Sequence, residues 1–152
     1  MTATSTPHRD LPLVSAMAAL LALPLPGTAA GPSPSDLRAA QCVAALEVNT
    51  QDLAHQVKAG DETMRPLLLE RLISGTAFVG DVYLSGNVGE KQARALADQA
   101  LEDQKHLSAQ ELQDRQRVCA KEGNTLYTTS NAFQRAFVRH VAQRRMRKLL
   151  GS

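Results

Sequence analysis

The sequence predicts an all-α fold, an up-down-up-down four-helix bundle with a long or bent C-terminal helix. Three observations lead there. Aromatic residues make up 3% of the chain and there is no Trp, so the core must be built from Leu, Val and Ala. No run of β-branched residues alternates with polar ones, the pattern a half-buried strand needs. Apolar residues instead recur at steps of three and four, in stretches bounded by capping residues and joined by short turns, which make consecutive helices antiparallel neighbours.

Residues 1–30 have the order of a secretory signal peptide. A polar start with Arg9 precedes an apolar stretch at 11–25, and Thr28, Ala29 and Ala30 supply the small residues of a cleavage site. The longest proline-free apolar run, 13–23, has 11 residues, whereas a spanning helix needs about 20. Cleavage is expected near Ala30, leaving a chain long enough for one domain with one core. Two cysteines, Cys42 and Cys119, are left in it. An even count in an exported chain favours a disulfide. Gln41 stands before Cys42 where a lipid-modified cysteine needs a small residue. Arg outnumbers Lys 12 to 5, which points to a bacterial source and a periplasmic or secreted protein.

Residues 31–35, Gly-Pro-Ser-Pro-Ser, read as an extended linker. Ser35 is the expected cap of the first helix, with Asp36 beside the positive end of its dipole. Ala39, Cys42, Val43, Leu46, Thr50, Leu53 and Val57 then recur at helical spacing, and Gly60 ends the helix as a left-handed cap. Asp61 or Thr63 starts the second helix, and Thr63 is the favoured cap because Pro66 is tolerated only in a first turn.

Residues 67–84 form the stretch around which the other helices are expected to gather. At about 100° per residue, Leu68, Leu72, Gly75, Val79, Val82 and Tyr83 share one side, with Leu69, Ile73, Thr76, Gly80 and Leu84 beside them. Glu70, Ser74, Asp81 and Ser85 occupy a narrow polar strip opposite. Gly75 and Gly80 each cost up to ~1 kcal/mol relative to Ala in a helix interior, and close approach of a neighbour is the usual compensation. Gly123 is read the same way, where the disulfide draws the first and fourth helices together.

Gly86 and Asn87 make the next turn, and Asn87 with Glu90 has capping-box spacing. The third helix then presents Ala93, Leu96, Ala97, Ala100, Leu101 and Leu107 to the core. Ser108 with Glu111 is a second capping box and opens the fourth helix. Leu112, Cys119, Leu126 and Phe133 follow at intervals of seven, with Phe137 and Val141 continuing that face. At ~1.5 Å per residue, Cys42 and Cys119 lie within roughly 10 Å of the same height, which supports their pairing. A helix continuous to Leu150 is about 60 Å long and overhangs the others by ~25 Å. Alternatively, Asn131 with Gln134 caps a fifth helix that folds back. The unbroken heptad favours continuity or a mild bend.

Charge singles out the C-terminal segment as the candidate interaction surface. Residues 31–122 hold 10 basic and 14 acidic side chains, a net of −4, whereas residues 123–152 hold six basic and no acidic ones. Those six are Arg135, Arg139, Arg144, Arg145, Arg147 and Lys148, and Phe133 and Phe137 lie among them. Such a helix suits a protein partner or an anionic membrane surface, or a homo-oligomer formed through it. The same cations also complement the helix dipole. Nucleic acid is not expected, since no nucleic-acid fold signature is present.

No catalytic, cofactor or metal site is expected. Asp52 with His55 and Asp103 with His106 have the spacing of helical carboxylate–histidine metal pairs, but both pairs fall opposite the apolar faces of their helices. Glu70 and Asp81 are about 16 Å apart on one helix, too far for paired carboxylate chemistry. There is no nucleophile elbow, phosphate-binding glycine loop or zinc signature. The function expected is that of a non-catalytic binding or structural protein acting through its basic C-terminal helix. The alternatives are a bundle that binds a small molecule or lipid, and an enzyme of unrecognised type.

Overall fold

Five helices pack in an all-α bundle in the computed structural model, which describes residues 31–85 and 88–151, with the backbone alone at 83–85. The expected signal peptide and the turn at Gly86 and Asn87 lie outside the described residues, as do the side chains of Tyr83 and Leu84.

The first helix, α1 (Pro34–Lys58), starts two residues before the sequence reading placed it. Pro34 sits in the first turn, where its missing amide costs nothing, so the cap falls on Ser33. Ser33 and Asp36 cap each other reciprocally: the Ser33 hydroxyl accepts from the Asp36 amide, and the Asp36 carboxylate accepts from the Ser33 amide at 2.9 Å. The linker is therefore shorter than residues 31–35. Gly60 takes a left-handed φ of 106°, as the C-terminal stop requires. Asp61, rather than Thr63, caps the single 3₁₀ turn that follows, accepting from the Thr63 amide at 3.2 Å. Next comes α2 (Arg65–Ser85), with Pro66 in its first turn.

The third helix, α3 (Glu90–Gln104), starts from Gly89, which offers no side-chain cap, and the expected cap Asn87 lies outside the described residues. Ser108 and Glu111 form the expected box at the head of α4 (Ala109–Thr129). The C-terminal run is divided, and α5 (Ala132–Leu150) is a separate fifth helix. Ser130 and Asn131 are both extended, and Asn131 and Gln134 cap each other reciprocally. Hydroxyls close the end of α4: Thr128 donates to Asn124 O at 2.9 Å, Thr129 to Thr125 O at 2.8 Å and Ser130 to Leu126 O at 2.6 Å. Such bonds back to the carbonyls of the preceding turn weaken and bend a helix end, and with a capping box in place one residue later the chain turns at low cost. The bend admitted by the sequence is thus a break between helices, and the heptad does not carry through it.

Two core clusters lie along the antiparallel pair α1 and α2. The upper one joins Ala39, Cys42, Leu46 and Phe78 to Cys119 and Ala120 of α4, with Leu126 packed against it. The lower one joins Leu53, Val57, Leu68 and Leu72 to Ala142 of α5, with Met146, Leu149 and Leu150 against it. Leu126 and Ala142 belong to opposite ends, so α5 folds back along the bundle instead of overhanging it. α1 packs on all four other helices, whereas α2 packs mainly on α1, α4 and α5. The centre of the bundle is shared between residues 67–84 and α1. The small residues of α1 explain its part: Ala39, Ala44, Ala45 and Ala54 are all buried, letting neighbours approach on more than one side.

Cys42 and Cys119 form the expected disulfide, with both sulfurs inaccessible to solvent. Beside it, Arg38 of α1 pairs with Glu122 of α4 at 2.8 Å. Ser74, read from the sequence as part of the solvated strip of α2, is buried, and its hydroxyl donates to Ala120 O at 3.2 Å. Gly123 faces Ser74 of α2 rather than α1, and a methyl group built on it would stand 2.5 Å from the Ser74 carbonyl oxygen. Close approach holds at Gly123 alone of the three glycines: a methyl at Gly75 would meet Leu46 at an ordinary 3.8 Å, and one at Gly80 would meet nothing.

Candidate interaction surface on the C-terminal helix

The face that α5 buries decides which side chains it presents. Val138 and Ala142 are buried, and Met146 and Leu149 pack on the lower core one and two turns further on. That stripe sets the register of the helix. Phe133 and Phe137 are expected from the sequence to share the apolar side with Val141, but they point away from the core, 81% and 58% exposed. At about 100° per residue, Phe133, Phe137, His140, Arg144 and Lys148 fall on one side. The exposed positions agree with this: Phe133, Phe137, His140, Arg144, Arg147 and Lys148 are all exposed. The steps of three and four from Val138 through Ala142 to Leu149 were legible beforehand; the larger aromatic side chains outweighed them.

The cations divide into two sets. Arg135 and Arg145 are occupied within the fold. The Arg135 guanidinium donates to Ser130 O and to Thr128 O, the latter at 3.4 Å, closing the turn between α4 and α5. Arg145 pairs with Glu47 of α1 and so anchors the far half of α5. Arg139, Arg144 and Lys148 are exposed and have no carboxylate partner among the described residues. Arg147 is exposed as well. Arg147 and Lys148 also lie in the last turn, beside the negative end of the helix dipole, and Gly151 closes that turn with a left-handed φ of 81°. The surface drawn from the sequence thus resolves into two positioning arginines and an outward row of two aromatics followed by cations.

Elsewhere the geometry offers little for chemistry. Asp52, His55, Asp103 and His106 are all exposed, and no group of three metal-ligating side chains gathers among the described residues. Glu70 pairs with Arg71. A cavity of about 70 Å³ lies between α1, α2 and α3, lined by Ala39, Val43, Phe78 and Leu96 among others. An open groove of about 650 Å³ runs between α1, α2 and α4, with Ala39, Phe78 and Leu126 in its floor and the pair Arg38 and Glu122 at its rim. Among the described residues, no helix is long and apolar enough to cross a membrane.

Two carboxylates are tuned by local partners. Hydrogen bonds from the Ser108 hydroxyl and amide hold Glu111 below the usual carboxylate range. The Arg65 guanidinium does the same for Glu62 and is itself raised by that carboxylate. Both are structural: one caps α4 and the other closes the 3₁₀ turn. Comparison of the chain with family models, with curated proteins and with solved structures finds no match.

Proposed function

We propose that this is an exported, non-catalytic binding protein that engages an anionic partner through the outward face of α5. One observation supports the reading above the others. Two of the three phenylalanines stand in solvent on the same side of a helix as Arg144 and Lys148, in a segment without a carboxylate. Large apolar side chains are ordinarily buried, and the third, Phe78, lies in the upper core. Export is supported by the buried disulfide, since such bonds persist in oxidising compartments, together with the order of residues 1–30.

The bundle serves as a rigid mount for that face. Val138, Ala142 and the ion pair of Arg145 with Glu47 hold α5 against α1 and α2, which leaves the aromatics and free cations facing outward together. Preorganisation of this kind lowers the entropy lost on binding.

A photo-crosslinking amino acid at Phe137, introduced in the source cells, tests the reading. Irradiation is expected to give an adduct of protein or lipid that disappears when Arg144→Gln and Lys148→Gln are added. The exposed position Gln113 on α4 serves as the control. Equal adducts from positions 113 and 137, or none from 137, would overturn the proposal.

A further inference from the structure

We infer that the partner of α5 is the surface of an anionic lipid bilayer, with Phe133 and Phe137 entering the interface while Arg144 and Lys148 meet headgroup phosphates. This rests on the reading that the outward face of α5 is the binding surface, and adds what that surface takes.

The arrangement of the face carries the inference. From Phe133 to Lys148 the row runs about 22 Å along the helix. Its aromatic pair stands at one end and its unpartnered cations at the other. A protein interface has an apolar centre enclosed by a polar rim of mixed character. Here the apolar pair is not enclosed, and every charge of the row has one sign. A bilayer asks for no rim. It accepts exposed aromatics at headgroup depth and attracts any cations held over it.

The helix also cannot roll its apolar side into a membrane, as an isolated amphipathic helix does. That side is already seated on the lower core through Ala142, Met146 and Leu149. Anchoring therefore falls to Phe133 and Phe137, neighbours one turn apart, and charge supplies the remainder. The carboxylate paired with α5 across the bundle, Glu47, is taken by Arg145, and residues 123–152 contain no Asp or Glu.

The chain contains no Trp, so Phe133→Trp gives a single reporter at an exposed site. The test adds the oxidised protein to vesicles of phosphatidylglycerol with phosphatidylcholine, and to vesicles of phosphatidylcholine alone. Emission is expected to move to shorter wavelength on the anionic vesicles and to stay unchanged on the neutral ones. Adding Arg144→Gln and Lys148→Gln is expected to weaken the partition roughly 10- to 30-fold. The inference is overturned by an unchanged emission on both vesicles, or by equal shifts on both. If crosslinking from Phe137 requires the two cations while vesicles leave the emission unchanged, the face still binds an anionic partner, and that partner is a protein.

Discussion

Replacing Gly123 by Ala tests the tightest contact in the bundle. Real Cβ atoms essentially never come within 3.0 Å of such a neighbour, and this one would stand 2.5 Å from Ser74 O, 2.8 Å from Ser74 Cβ and 2.9 Å from Ser74 C. Two of those three atoms are backbone, so no rotamer change relieves the clash. Helices α2 and α4 must part by at least about half an ångström, which lengthens the Ser74 hydroxyl bond to Ala120 and loosens Ala120 in the upper core. The disulfide one turn earlier ties α4 to α1 and limits sliding. Overpacking of this kind costs about 1–3 kcal/mol, against a gain of up to ~1 kcal/mol from the better helix propensity of Ala. A net loss of about 1 kcal/mol lowers the melting temperature by roughly 4 °C at this chain length. Gly80→Ala is the internal control. Nothing lies within 4 Å of its added methyl, so the propensity gain stands alone and the melting temperature rises by a few degrees. Thermal and urea unfolding of the oxidised protein decide the matter. If Gly123→Ala melts at or above the wild type, the close approach of α2 and α4 is wrong.

The remaining predictions follow from the disulfide and the caps. Cys42→Ala with Cys119→Ala is expected to reduce stability by up to about 4.5 kcal/mol in the chain-entropy model for a 77-residue separation, read from urea midpoints. Reductant alone should leave the bond intact until the protein is unfolded, because both sulfurs are inaccessible; thiol titration with and without denaturant checks it. Asn131→Ala removes the acceptor for the Gln134 amide at 2.9 Å and is expected to cost about 1 kcal/mol in the same unfolding assay. Glu111 is held below the usual carboxylate range in the folded protein, so its stabilising effect is complete above that range and is lost as pH falls through the lower folded value. Glu111→Gln should therefore melt lower than the wild type near neutrality, and the gap should close on the acid side.

Much of the fold was legible because it rests on local chemistry. The Ser108 and Glu111 box, the left-handed Gly60 and the tolerance of Pro66 in a first turn each depend on a few adjacent residues, and each stands in the structure as the pattern implied. The disulfide was legible for another reason: helix rise is constant enough to compare heights. What escaped the sequence was competition between signals. The heptad from Leu112 to Phe133 argued for one helix, yet the hydroxyls of Thr128, Thr129 and Ser130 and the Asn131 cap provide local closure that the heptad cannot outweigh. Its last member, Phe133, lies beyond the turn and projects into solvent.

Ser74 escaped because a small hydroxyl on a polar strip looks the same in sequence whether water or a neighbouring carbonyl accepts from it. Burial of α1 on several sides escaped because alanines carry little hydropathy contrast. For the candidate surface, composition singled out the segment, while the direction of the phenylalanines followed only once Ala142 was seated on the lower core.

The register of α5 underlies both the fold-back and the proposed binding face, and methyl and aromatic nuclear Overhauser effects measure it directly. The Ala142 methyl is expected to show cross-peaks to the leucine methyls of the lower core, Leu53, Leu68 and Leu72, while the rings of Phe133 and Phe137 show none to either core cluster. Ring cross-peaks from Phe133 or Phe137 to core leucines, with Ala142 silent, would contradict the account.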